Sequence, residues 1–290
     1  MRNQKDPKQP LVSDNIAARL RRFEEERDRM VDTIRAIVQI ESPSDDKSSV
    51  DRVGRYVAER FAALGGAVRI HKSSVFGDHV QVDFEGESKN KPVLLLGHID
   101  TVYPLGTLSG MPCHIRDGRL FGPGVLDMKS GIGLIIHAIE ALQAEHASLP
   151  RPAKVLLVSD EEVGSDSSRQ ITENLAKKSE AVLVLEPSYG PRGAVKTARK
   201  GVGEYALNVS GRASHSGLDF EKGENAICEL GRQIDKVSGF TDLKRGLTVN
   251  VGLISGGTRV NVVPAEASAS VDVRISQLKD AAGIDRKFRS

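Results

Sequence analysis

The chain has 290 residues, 28% of them charged and 39% apolar, with a formal net charge of +2. This is an ordinary globular composition, the balanced charge gives no support for nucleic acid as a partner, and the length suggests two domains. No stretch approaches the ~20 consecutive apolar residues of a membrane helix, and two cysteines far apart in sequence, Cys113 and Cys228, fit a reducing, cytoplasmic compartment better than a disulfide framework.

Residues 1–14 are polar, lack the apolar core of a signal peptide and read as a disordered tail. Ile16, Leu20, Phe23, Met30, Ile34 and Ile37 recur at helical spacing and predict a helix over 16–40, with Ser13 or Asp14 as its cap. A second helix fits 50–64 and stops at Gly65-Gly66. Strands fit 67–71 and 79–84, followed by a buried run at 92–96. Residues 128–146 are apolar all round, the pattern of a helix packed deep against a sheet. A buried strand at 153–158, an amphipathic helix at 165–178 and another buried strand at 181–185 follow. Strands alternating with helices predict an α/β sandwich, with helices on both faces of a largely parallel sheet.

Around 187–193 a breaker cluster of Tyr189, Gly190, Pro191 and Gly193 changes the texture. Beyond it the strands alternate, at 204–209, 248–253 and 267–274, with a helix at 223–237. This is antiparallel α+β texture with one buried sheet face. The domain boundary is placed near residue 192. A partial helix over 278–290 leaves the second domain without a final strand, the mark of a truncated chain.

Four segments carry chemistry. The run Leu94-Leu95-Leu96-Gly97 stops at His98 and Asp100; Gly122-Pro123-Gly124 leads to Asp127; Val158 is followed by Asp160-Glu161-Glu162; and Leu183-Val184-Leu185 stops at Glu186. Each has an ordinary alternative: a satisfied core histidine, a helix cap, a solvated acidic turn and a surface turn. Together they are ionisable groups at the ends of buried strands, which is costly unless a cation neutralises them. His98 offers an imidazole nitrogen, with Asp100 able to orient the ring. Of the adjacent Glu161 and Glu162, one can bind metal while the other serves as general base.

Gly97-His98-Ile99-Asp100-Thr101-Val102, Gly122-Pro123-Gly124-Val125-Leu126-Asp127-Met128-Lys129-Ser130-Gly131, Asp160-Glu161-Glu162-Val163-Gly164-Ser165 and Glu186-Pro187 resemble, in order and spacing, the motifs of the co-catalytic dizinc peptidases. That family includes glutamate carboxypeptidases, aminoacylases and succinyl-diaminopimelate desuccinylases. Ala213-Ser214-His215-Ser216-Gly217 extends the likeness toward its glutamate carboxypeptidase branch.

The resemblance implies an α/β fold, a three-layer α/β/α phosphorylase/hydrolase-like zinc peptidase domain over 15–192. A ferredoxin-like βαββαβ lid and dimerisation domain over 193–290 accompanies it, both incomplete at the C-terminus. It implies two divalent metal ions, zinc first and cobalt or manganese as alternatives. Asp127 would bridge them, His98 and Glu186 would complete one site, and Glu162 would serve the other. Glu161 would be the general acid/base, Asp100 would orient His98, and His215 would stabilise the oxyanion in the partner subunit's site. Asn261 and Arg274 would bind substrate, a small peptide or an N-acyl amino acid.

The expected activity is exopeptidase hydrolysis of an amide bond; deacylation is the alternative, and an inactive dimeric metal-binding fragment is another. The family's last zinc ligand, a histidine near its C-terminus, has no counterpart, since no His follows His215. The Glu162 side is therefore expected to bind its ion weakly.

Overall fold

The N-terminal amphipathic pattern folds as two helices rather than one. In this computed structural model, which describes residues 14–146 and 148–290, α1 (Asp14–Glu25) and α2 (Arg27–Val38) are separated at Glu26, whose backbone (φ −88°, ψ 6°) leaves helical geometry. The break lets α2 bury Thr33, Ile34, Ile37 and Val38, while Ile16 and Leu20 of α1 stay exposed. The tail expected over 1–14 lies outside the described residues, except for Asp14, which opens α1.

The chain divides into one unit that ends at Ser188 and another from Tyr189 to Ser290. In the first, α3 (Lys47–Ala63) is capped by Asp46, whose carboxylate accepts the Ser49 N–H at 2.7 Å. It buries Val50, Val53, Val57 and Phe61 at helical spacing. Next come β1 (Ala67–His71), β2 (His79–Phe84), β3 (Val93–His98), the short α4 (Thr107–Gly110) and a small hairpin, β4 (His114–Arg116) with β5 (Arg119–Phe121). Then follow α5 (Ser130–Glu145), β6 (Ala153–Val158), α6 (Arg169–Lys177) and β7 (Ala181–Val184).

The five-stranded sheet runs β1-β2-β6-β3-β7. Its β6, β3 and β7 are parallel, but β1 and β2 are antiparallel to their neighbours. The sheet is therefore mixed rather than largely parallel. The link from β1 to β2 is too short for the crossover a parallel pair needs, so these strands form a hairpin-like edge. Side chains alternate across the sheet. Leu95, Val155 and Leu157 join the core made with α3 and α5, while Leu94, Leu156 and Val158 face Ile171 and Leu175 of α6. Helices thus cover both faces.

One strand departs from its sequence pattern. β7 was expected to be buried, yet Val182, Leu183 and Val184 are 38–53% exposed. It pairs only with β3 and stands at the sheet edge among the described residues.

The second unit contains β8 (Gly201–Ser210), α7 (Ala226–Ser238), β9 (Thr248–Gly256), β10 (Glu266–Ile275) and α8 (Ala281–Arg289). Its sheet is antiparallel, ordered β8-β10-β9. Leu207, Val251, Ala267, Ala269, Val271 and Val273 point to one face, where α7 contributes Ala226 and Leu230 and α8 contributes Ile284. The stacked rings of Tyr205 and Phe288, with centroids 3.9 Å apart, fasten α8 to that sheet.

Candidate metal centre

Two glycines let the backbone close around the end of β3. A Cβ on Gly97 would stand 2.7 Å from the Met128 thioether, and one on Gly131 would meet the Leu185 carbonyl at 2.2 Å. With no side chain at either position, buried Met128 packs against β3, and its Sδ accepts the His98 N–H at 3.0 Å. The start of α5 can then abut the segment leading to Glu186.

His98 is buried and its two ring nitrogens are in different surroundings. Nδ1 lies 3.0 Å from the Asp100 carbonyl oxygen and 3.4 Å from Asp100 Oδ1, so this nitrogen is the donor. That leaves Nε2 facing Asp127 Oδ1 at 2.8 Å and Glu186 Oε1 at 3.3 Å. Asp100 is itself fixed: the Ser44 hydroxyl donates to Oδ2 at 2.7 Å, and the Glu161 and Glu162 N–H groups donate to Oδ1 and Oδ2 at 3.3 and 3.2 Å.

Asp127 does not open a helix as its sequence setting suggested. It sits in a distorted turn, Val125–Lys129, with extended backbone (φ −118°, ψ 101°) and a cis peptide bond to Met128; α5 begins only at Ser130. This turn leaves the Asp127 carboxylate 56% exposed and aimed at the imidazole. Glu161 and Glu162 lie on a single tight turn, Glu161–Val163, rather than at a strand end. Ligand atoms of His98, Asp127 and Glu162 all lie within 4.8 Å of one another, a group able to hold a metal ion.

The electrostatics fit a cation. Burial alone would push the His98 pKa down, but hydrogen bonds to Asp100 and Glu186 outweigh it and raise the ring to about 11. Burial, reinforced by neighbouring carboxylates, pushes both Glu161 and Glu162 up. A cluster that holds a proton so firmly on an imidazole, and resists ionising its outer glutamates, is short of positive charge. A divalent ion supplies that charge, and one imidazole with several carboxylates is a donor set that zinc, cobalt or manganese accepts.

In the second unit, His215 and Asn261 are on adjacent loops. His215 pairs with Val262 in an isolated bridge, and Ser216 N–H donates to the Asn261 carbonyl at 3.1 Å. His215 Nδ1 accepts the Gly217 and Leu218 N–H groups at 3.1 and 3.2 Å, so its proton is on the exposed Nε2. Arg274 stands at the other end of β10 from these loops, with its Nε donating to Asp272 at 2.9 Å. Sequence reasoning passed over Ser44 and Met128. A lone serine after a proline and a methionine in a turn carry no spacing signal; only the fold shows what they touch.

Comparison with known proteins places these features in context. The family described as peptidase dimerisation domain matches residues 197–290, and peptidase family M28 matches 79–220. Carboxypeptidase G2 of Pseudomonas sp. (strain RS-16) is 29% identical over 258 residues, covering 88% of this chain and 62% of that protein. Acetylornithine deacetylase of Myxococcus xanthus is 32% identical over 192 residues, covering 62% of this chain and 48% of that protein. The chain spans about three fifths of the length of the first curated relatives it matches. Among solved structures, an M20 family metallo-carboxypeptidase from Sulfolobus solfataricus superposes with a TM-score of 0.67 at 19% identity, covering 90% of this chain and 75% of that one. Aminopeptidase PepT from Bacillus cereus superposes at 0.76 and 19%, covering 90% and 70%.

Proposed function

We propose that this chain, which shares sequence and a dimerisation domain with the M20 peptidases, is a metal-dependent hydrolase of amide bonds, acting as a glutamate-carboxypeptidase-like exopeptidase. The observation that carries this reading is the convergence of Asp127, Glu186 and Glu162 on the single imidazole of His98. His98, Asp127 and Glu186 would hold one divalent ion, and Asp127 with Glu162 a second. Zinc is the first choice for metal; cobalt or manganese suit the same donors. An ion held there supplies Lewis acidity, polarising a carbonyl and acidifying water.

The remaining roles fall to the chain's own side chains. Asp100 keeps the His98 proton on Nδ1, so that Nε2 presents its lone pair once an ion replaces the second proton. Glu161 lies beside the ligand group without belonging to it. It would take a proton from the attacking water as the new C–O bond forms, and pass it to the leaving nitrogen as the C–N bond breaks. His215, with its proton on Nε2, is a preformed donor suited to the developing oxyanion of a partner subunit's substrate. Asn261, beside it, and Arg274 would bind substrate, the latter by accepting a carboxylate in its guanidinium fork. The match to a peptidase dimerisation domain supports a homodimer formed through residues 193–290.

The likeness to acetylornithine deacetylase favours one second reading, an N-acyl-amino-acid deacylase using the same residues. Assaying the zinc- or cobalt-loaded chain on an N-acyl glutamate, a folate-type glutamyl amide and N-acetylornithine separates the two. Turnover of the glutamyl compounds supports the carboxypeptidase reading, and turnover of N-acetylornithine alone supports the deacylase. Ion binding with no turnover of any would favour a non-catalytic metal-binding protein.

A further inference from the structure

The segment that carries Glu161 and Glu162 is also held by a second buried imidazole. His79, the first residue of β2, is 1% exposed. Ser159 Oγ donates to the Gly77 carbonyl, so the Ser159 N–H, 3.2 Å away, is the group that donates to His79 Nδ1. This makes Nδ1 the bare nitrogen and leaves the proton on Nε2, 3.1 Å from Ser167 Oγ. The Ser167 hydroxyl passes the chain on, donating to Asp160 Oδ2 at 2.7 Å. That same oxygen accepts the Ser167 and Ser168 N–H groups at 2.8 and 3.2 Å.

The consequence is a closed ring of hydrogen bonds around the functional turn. His79 ties Ser159, just before the turn, to Ser167, just after it, and Asp160 knots the two ends. Nothing but backbone separates these anchors from Glu161 and Glu162. Burial pushes the His79 pKa down, which keeps the ring neutral and its Nδ1 available as an acceptor.

We propose that His79 is a positioning residue: as a neutral ring protonated on Nε2, it locks the Glu161–Glu162 turn in the register that sets Glu162 against His98 and Asp127. The lock itself is independent of the hydrolase reading; that reading supplies only its purpose.

Hydrogen exchange on the metal-free 290-residue chain tests the lock directly. His79→Leu fills the same space without the two hydrogen bonds. It should raise exchange across residues 159–168 by about 10-fold or more while leaving α5 and β3 protected. His79→Asn, whose Oδ1 can accept from Ser159 in place of Nδ1 but whose amide is too short to reach Ser167, should restore part of the protection. Ser167→Ala removes only the outer link and should loosen the same segment less. Val80→Ala is the control for generic core damage next door. Unchanged protection of 159–168 in both His79→Leu and Ser167→Ala would overturn the proposal. So would a pattern in His79→Leu that Val80→Ala reproduces.

Cobalt(II) titration then connects the lock to the ligand. Removing an outer-shell partner typically weakens binding about 10–100-fold. His79→Leu should therefore lower cobalt affinity about 10-fold in the unsubstituted chain and not further in a Glu162→Gln background. An equal loss in both backgrounds contradicts action through Glu162. Failure of the unsubstituted chain to bind cobalt overturns the metal reading instead, while the exchange measurement still decides the lock.

Discussion

Asp78 offers the most direct test of how the first unit is held together. Its Oδ1 accepts from Lys47 Nζ at 2.7 Å and from the Ser73 N–H at 3.2 Å, and its Oδ2 accepts from Lys72 Nζ at 2.6 Å. Its own N–H donates to Asp51 Oδ1 at 2.7 Å. One carboxylate thereby joins the first turn of α3 to the connection between β1 and β2. Burial pushes the Asp78 carboxyl up, but the hydrogen bonds from Lys47, Lys72 and Ser73 prevail and lower it from 3.8 to about 2. At about 1.4 kcal/mol per pKa unit, the full shift corresponds to roughly 2.4 kcal/mol of native-state stability. Lys72 is 80% exposed, so solvent screens that half of the interaction, and the expected contribution is about 1–2 kcal/mol. The folded pKa is the lower one, so the contribution is complete above the unfolded value and fades as pH falls from about 4 toward 2. Urea denaturation of Asp78→Asn and the unsubstituted chain at pH 7, 5 and 3 measures it. The variant should be about 1–2 kcal/mol less stable at pH 7, with the gap shrinking at pH 3 and in high salt. A variant as stable as the parent at pH 7, or a gap that persists undiminished at pH 3, refutes the reasoning.

Three other outcomes are expected. Under the proposed function, Glu161→Gln should reduce metal-dependent amide hydrolysis by about 10²–10⁴-fold while leaving the bound divalent-ion content intact; activity retained within a few-fold removes Glu161 from the proton path. Gly131→Ala drives a methyl to 2.2 Å from the Leu185 carbonyl oxygen and should destabilise the first unit by about 1–3 kcal/mol, read as a lowered urea midpoint, with unchanged stability showing that the approach is looser than described. Chelation of an ion-loaded sample should lower the melting temperature, because an ion that binds only the native state stabilises it by about 2.7 kcal/mol at 100 times its dissociation constant; equal melting with and without chelator contradicts a site built by the folded chain.

Much of this architecture is legible in the residues alone, for identifiable reasons. Strands β1, β2 and β6 fall on the expected 67–71, 79–84 and 153–158, because uninterrupted apolar or alternating runs bounded by Gly, Pro and charge leave little freedom. Three of the four segments stand out as apolar runs that stop abruptly before ionisable residues and the fourth as a Gly/Pro turn leading to Asp127, and the fold brings His98, Asp127, Glu162 and Glu186 close together, Asp127 and Glu162 from turns rather than strand ends. What escaped lacks local pattern. The three-residue strands of the β4–β5 hairpin are too short for alternation to register. The exposure of β7 depends on which neighbours a strand has, and periodicity carries no information about that. His79 was read only as the start of a strand, since a single histidine becomes meaningful when two serines from another segment arrive at its two nitrogens.

The environment of Asp100 has a thermodynamic consequence. Its two oxygens are occupied by a hydroxyl from Ser44 and by two backbone amides, and its carbonyl takes the His98 ring proton. Every one of these bonds joins two groups of the chain itself, so folding orders the imidazole and the glutamate turn together, and a divalent ion bound as proposed would meet side chains already held by one another. Such pre-organisation removes the side-chain and loop ordering that otherwise subtracts from affinity. The heat of ion binding should then reflect dehydration and proton release, with little contribution from rearrangement of the protein.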